Sequence, residues 1–224
     1  MGESSTANKS TYQPISVLTH DQCYVGKNRL EKAISAYKKT VHNGEQDTFT
    51  VTWHPFYLDP TLPKQGTPAE VHLANKFGAE RAKVMNARLQ QMGAAEGLPF
   101  KARGAIGHTR DAHRLLQLAR QKAPDVQNKV VAQLFQAHME EGKDITSHDM
   151  LVEAAAKSGI DKDEAQKWLA EGKGGDAVDR EVQEAYAKGV QGVPNFTVNG
   201  KYVLEGAQDP ETFVQTFLRA KADA

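Results

Sequence analysis

The stretch that most constrains the fold is PISVLTHDQCYVGKNRLEKAI, residues 14–34. Ile15 and Val17 alternate as in a strand, Thr19, His20 and Asp21 turn the chain, and Val25, Leu30, Ala33 and Ile34 recur at helical spacing. The segment therefore reads as strand, tight turn and long helix, and Cys23, the only cysteine of the chain, falls in the first helical turn. Unpaired N–H groups and the positive end of the helix dipole favour an anion at that place. A thiol held there tends towards thiolate, the reactive form of sulfur.

The remaining chain falls into a second strand, a long helical block and a closing hairpin. Asn43-Gly44 makes a turn before the β-branched and aromatic run Thr48 to Trp53, and His54-Pro55-Phe56-Tyr57-Leu58-Asp59-Pro60 leaves it as a proline-rich loop. From 66 to 187 the pattern is helical. Thr67-Pro68-Ala69-Glu70 has the form of a capping box closed at Gly78, and a helix from Ala79 to Gln91 is expected to stop at Gly93. Thr109 or Asp111 opens a helix that must end before Pro124, and Val126, Val130, Val131, Leu134 and Phe135 mark a core face. Ser147 opens a helix that Gly159 closes, and Asp161 with Glu164 starts another. Gly192 to Val198 is loop and strand, Asn199-Gly200 a two-residue hairpin turn, Lys201 to Leu204 the partner strand, and Asp209-Pro210 caps a last helix to about Lys221.

A strand followed by a helix that starts with cysteine resembles the thioredoxin fold, and further motifs are similar to its DsbA-like branch. That branch includes FrnE-like oxidoreductases, 2-hydroxychromene-2-carboxylate isomerases and kappa-class glutathione transferases. Tyr24-Val25-Gly26-Lys27 matches the residues after the FrnE-like Cys-Pro-Trp-Cys box, and Trp53 to Pro60 resembles the motif after the second strand. Gly107-His108-Thr109-Arg110-Asp111-Ala112-His113-Arg114-Leu115 resembles the branch's Asn-Thr…Ala-His-Arg-Leu segment, with His108 where the asparagine stands. Gly206-Ala207-Gln208 also matches, and Val193-Pro194 falls where thioredoxin-like proteins keep a cis proline facing the active cysteine. The resemblance implies an α/β thioredoxin fold with a large all-helical insertion that forms a lid. It divides the chain into a disordered lead (1–13), a thioredoxin-like domain (14–65 and 188–224) and a helical insertion domain (66–187).

The active box departs from the family: it is His20-Asp21-Gln22-Cys23, so the attacking cysteine has become His20. One cysteine excludes an internal disulfide and places the chain in the reducing cytosol. His20 can lower the thiol's pKa when protonated, take its proton when neutral, or act as general acid or base on a substrate while Cys23 packs as an inert apolar group. The candidate catalytic residues are thus His20 and Cys23. Asp21, Gln22, Trp53, His54, Phe56, His108, Thr109, Val193 and Pro194 are the substrate- or glutathione-binding candidates, the backbone of Val193 being able to pair with an extended peptide or glutathione. No metal is expected, since His54, His108 and His113 alone can complete a His20–Cys23 ligand set and the last two are five apart, off a common helical face. His42, His72, His138 and His148 read as surface or helix-cap residues.

Three functions fit: an isomerase- or transferase-like enzyme acting on a small organic substrate, with glutathione as candidate cofactor; a monothiol oxidoreductase using Cys23; and a catalytically silent peptide- or metabolite-binding protein. Lys+Arg and Asp+Glu balance at 28 each, so no field draws nucleic acid or an anionic membrane, and no signal peptide or membrane span is read. A homodimer stays open.

Overall fold

The computed structural model describes residues 9–16, 20–100 and 103–223, residues 9–16 by their backbone alone. The lead residues 1–8, Val17 and Thr19 lie outside the described residues. Strand β1 (Lys9–Ser16) leads to helix α1 (Asp21–Thr40), then strands β2 (Thr48–Val51) and β3 (His54–Pro55). Helices α2 (Ala69–Phe77), α3 (Ala79–Glu96), α4 (Arg110–Lys122) and α5 (Pro124–Phe135) follow, with a π turn at Gln136–Glu140. Helices α6 (His148–Lys157), α7 (Lys162–Ala170) and α8 (Gly175–Ala187) complete the insertion, and β4 (Asn195–Val198), β5 (Tyr202–Glu205) and α9 (Pro210–Ala222) close the chain. No described helix is long and apolar enough to cross a membrane.

The sheet runs β2-β1-β4-β5, with β3 also beside β1. β2 and β3 lie parallel to β1, which the long crossover through α1 permits, while β4 is antiparallel to β1 and β5 to β4. Asn199 and Gly200 both carry positive φ, 50° and 70°, as the two-residue hairpin requires. β1 starts at Lys9, paired with Thr48, so residues 9–13 belong to the sheet and the boundary expected at 14 moves back. Its ladder partners on both sides, β2 and β4, are what hold it there.

Two apolar cores flank the site. On one face of the sheet, Leu30, Ala33 and Tyr37 of α1 meet Phe213, Phe217 and Ala220 of α9 over Phe196 and Val198 of β4. The other core is built by α4 to α7, and Cys23 and Trp53 enter it alongside Leu115, Leu134, Phe135 and Leu151. β2 and β3 are interrupted at Thr52 and Trp53, where the ladder would leave backbone groups unpaired. Gln127 of α5 fills the gap: its Oε1 accepts from Trp53 N at 2.9 Å and its Nε2 donates to Trp53 O at 3.0 Å. The indole Nε1 donates to Asn128 Oδ1 at 2.7 Å. Helix and broken strand are thereby stitched together.

Three local expectations are corrected. α2 begins at Ala69 with Pro68, which has no capping side chain, at its N-cap, while Thr67 lies one residue further out and pairs through its backbone with Ile106. α3 runs past Gly93 to Glu96 and ends at left-handed Gly97 (φ 75°). Gly93 lies inside the helix, where a Cβ would stand 2.7 Å from Leu98 O and from the Phe100 ring, so only glycine fits. His138, read as surface, is fully buried, turned inward by the π turn. Ser147 and Asp161 cap α6 and α7 through Met150 N and Glu164 N, as the sequence predicts.

Replacing Gln127 by Ala should leave the Trp53 N–H and C=O without partners in a dry core. At about 1–3 kcal/mol for each group so stranded, urea unfolding should show a clear loss of stability, whereas Asn128→Ala, at the partly exposed indole bond, should cost less.

Candidate functional site

The first turn of α1 brings His20, Asp21, Gln22 and Cys23 together by contiguity, and their environments differ sharply. His20 is the N-cap residue: its carbonyl accepts from Cys23 N at 3.0 Å, and its side chain makes no cap bond. The imidazole keeps 30% of its surface exposed. Cys23, three residues on, is 0% exposed, enclosed by the Trp53–Leu115–Phe135 core. Gln22 points to α3, its Nε2 donating to Met92 Sδ at 3.0 Å. Tyr24 stacks on Phe135 with ring centroids 4.9 Å apart and donates to Glu140 of the π turn at 2.6 Å.

Asp21 lies between two bases. Its Oδ2 pairs with Arg103 Nη2 at 3.1 Å, and its Oδ1 stands 3.8 Å from His20 Nε2, beyond hydrogen-bonding range. Burial lowers the His20 pKa below its usual value, Asp21 opposes this and Arg103 adds to it. The neutral imidazole therefore prevails at neutral pH. Its Nδ1 and the Nε of Arg103 are buried and find no hydrogen-bond partner among the described residues.

The Val193–Pro194 peptide is cis. Gly26 of α1 admits this loop: a Cβ there would stand 2.9 Å from Pro194 Cγ and 3.0 Å from Phe196 Cζ. Val193 packs against both the core that holds Cys23 and the small cluster of Phe56 and Ala185. It also lines a cavity of about 430 Å³ with Gly189, Gln191, Gly192, Asn195 and Glu205. His20 is not in that wall.

The other candidates gather on the α4 and α8 side. His54 Nδ1 meets Glu181 Oε2 at 2.8 Å, and Glu181 also takes Gln117 and Arg120. Burial would raise the Glu181 pKa, but these three hydrogen bonds outweigh it and bring it down to about 2. His108 Nδ1 accepts from Arg110 N, and its ring meets the Tyr57 ring at 4.6 Å. Tyr57 donates to Asp179, which Arg110 holds by its Nε and Nη2. Trp53, Phe56 and Thr109 are buried structural residues at 2%, 3% and 5% exposure. The sequence candidates thus form two groups, with Val193 packed against Phe56 and against the core around Cys23. Among the described residues no three His, Cys, Asp or Glu side chains gather closely enough to hold a metal ion.

Arg103, His138 and Glu181 were not anticipated. Arg103 stands in a segment without helical or strand periodicity, so nothing in the sequence places it beside Asp21. His113, considered only as a metal ligand, is 2% exposed and hydrogen-bonded by the Phe56 backbone. Burial brings both His113 and His138 down to about 4.

The profile of the DSBA-like thioredoxin domain family matches residues 21–217. Among solved structures, a probable DsbA oxidoreductase from Streptomyces coelicolor is 30% identical, with 96% of this chain and 91% of that one covered and a TM-score of 0.83. A 2-hydroxychromene-2-carboxylate isomerase is 17% identical, at 95% and 98% coverage and a TM-score of 0.67. The cytosolic disulfide reductase DsbM from Pseudomonas aeruginosa, also solved with GSH, is 16% identical, at 96% and 100% coverage and a TM-score of 0.60. No curated protein matches the sequence.

The buried bases and the depressed carboxyl set the acid stability. His113 and His138 take protons near 6.5 when unfolded but only near 4 when folded, so their contribution is whole above 6.5 and lost as pH falls from there towards 4. Glu181 contributes above its unfolded 4.5 and loses it on the way to about 2. Stability from urea unfolding should therefore decline from pH 6.5 downwards in two windows. His138→Gln should flatten the upper window and Glu181→Gln the lower, whatever their effect at neutral pH.

Proposed function

We propose that this chain, which belongs to the DSBA-like thioredoxin domain family, is an enzyme that acts on a small organic substrate by proton transfer at His20 rather than by disulfide exchange at Cys23. One observation carries the reading: within a single helical turn the sulfur is fully enclosed while the imidazole is part exposed and held neutral by burial. Disulfide exchange needs a thiolate that a second sulfur can reach. Cys23 offers no such approach, and no second cysteine exists to resolve a mixed disulfide. A neutral imidazole in a half-buried turn is instead suited to general base catalysis at neutral pH.

The reaction type is isomerase- or transferase-like, a chemistry the fold accommodates in the 2-hydroxychromene-2-carboxylate isomerase. Glutathione is the proposed co-substrate, with the Val193 backbone as its hydrogen-bonding edge; the DsbM structure with GSH supports this at the level of the fold. A lone buried cysteine also suits a reducing compartment, where we place the protein.

Iodoacetamide should label Cys23 only as fast as the protein unfolds, and insulin reduction should stay at background. Labelling of the folded protein at neutral pH that slows in His20→Ala would replace this reading with a monothiol oxidoreductase. Titration calorimetry with reduced glutathione should give saturable heat in the millimolar range; none would remove glutathione and leave His20 chemistry on another substrate.

A further inference from the structure

Arg103 is seated by backbone, not by chance of a flexible side chain. The next residue, Gly104, donates its N–H to His138 O at 2.9 Å, and the Lys143 carbonyl fills the space that a side chain at Gly104 would need. Two residues further on, Ile106 pairs with Thr67 in both directions. The guanidinium thus arrives beside the start of α1 from a fixed position, 15% exposed. It gives Nη2 to Asp21 Oδ2, and its Nε is buried without an acceptor among the described residues.

That pairing decides where the Asp21 carboxylate points. Oδ2 is taken by Arg103 at 3.1 Å, and Oδ1 is left 3.8 Å from His20 Nε2. Asp21 is the residue next to His20, and without Arg103 a modest side-chain rotation would bring a carboxylate oxygen onto the imidazole. We propose that Arg103 is a positioning residue that holds the Asp21 carboxylate away from His20 and so keeps the imidazole available to substrate as an unpaired base. The inference rests on the reading of His20 as the proton-transfer group and adds the device that tunes it.

Among the described residues the charged and titratable groups facing His20 are Asp21 on α1 and Arg103 on the segment before α4; Cys23 stands one turn on, and Arg103 also faces His138 of the π turn. A carboxylate in contact with an imidazole favours its protonated form, whereas a nearby guanidinium disfavours it. Loss of Arg103 removes the second influence and releases the first, so both changes raise the His20 midpoint. A base that is protonated at neutral pH no longer accepts a proton.

The test is the pH titration of the His20 ring by NMR in the full chain, its signal assigned by its absence in His20→Gln. Arg103→Gln should raise the midpoint, and Arg103→Lys, which can still pair with Asp21, should bring it back towards the unmodified protein. The rise should largely disappear when Arg103→Gln is made in Asp21→Asn. An unmoved midpoint in Arg103→Gln, or a rise that persists undiminished in the Asp21→Asn background, overturns the proposal, the latter because Arg103 would then act on His20 directly. If Arg103→Gln unfolds the protein, comparison of Asp21→Asn with Asp21→Glu decides. A fall in Asp21→Asn of less than about one pH unit, together with a rise in Asp21→Glu, whose longer carboxylate can reach the imidazole, supports restraint by Arg103; a midpoint that Asp21→Glu leaves unmoved or lowers overturns it, as does a fall in Asp21→Asn of about one pH unit or more, the size a direct contact gives. Failure of the wider reading shows elsewhere, in rapid labelling of Cys23, and leaves these midpoints where they are.

Discussion

The arrangement depends on the burial of the first turn of α1 in a core made by another part of the chain. Cys23 on α1 and Trp53 between β2 and β3 pack among Leu115, Leu134, Phe135 and Leu151. Trp53 is then fixed at its backbone by Gln127 and at its indole by Asn128. Such double anchoring means that the insertion is not a cap resting on a finished domain: it supplies the far wall of the α1 turn. A dry, close-packed wall has little tolerance for movement, so the groups at the rim keep fixed directions.

Enclosure then sorts the two chemical groups of the turn. Sulfur is a small polarisable apolar atom and goes inside at little cost, while burial of an imidazole penalises its charged form, as at His113 and His138. His20 stops at the rim, neutral, with Asp21 drawn off by Arg103. The family's usual order, a reactive outer sulfur and a buried inner one, is kept in geometry while the outer group has changed from sulfur to nitrogen. The electrostatics at the helix start, which favour an anion, now act against an imidazolium.

A second set of polar groups sits across Val193. His54, Gln117 and Arg120 converge on Glu181, and Tyr57 with Arg110 on Asp179. These networks tie α4 and α8 to the loop that follows β2, so the cis-proline loop is flanked by rigid elements on both sides. Asn195 and Glu205, on the strands behind that loop, share its cavity wall with Val193. The surroundings of Val193 and those of His20 therefore rest on separate supports, one in the sheet and α8, the other in α1 and the segment before α4.

Much of this was legible in the chain itself. The strand ending at Ser16, the helix from Asp21, the Asn199-Gly200 hairpin, the caps at Ser147 and Asp161 and the apolar stripe of α5 all follow from local periodicity and turn chemistry, and the resemblance of the motifs to a known family adds the thioredoxin-like fold with a helical insertion. The lone cysteine and the histidine three before it were also plain. Local pattern failed where a long-range partner decides: β1 reaches back to Lys9 because β2 offers it a ladder there, the glycine inside α3 is there to admit Phe100 rather than to stop the helix, and His138 turns inward with the π turn. The roles within the turn were beyond reach for the same reason. Burial of Cys23 depends on Leu115 and Phe135, and the state of His20 depends on Arg103, some eighty residues or more away in sequence. Sequence sets which groups stand at a helix start, but exposure, dielectric and neighbouring charge are properties of the packed whole, and only the tertiary structure decides which group is left able to react.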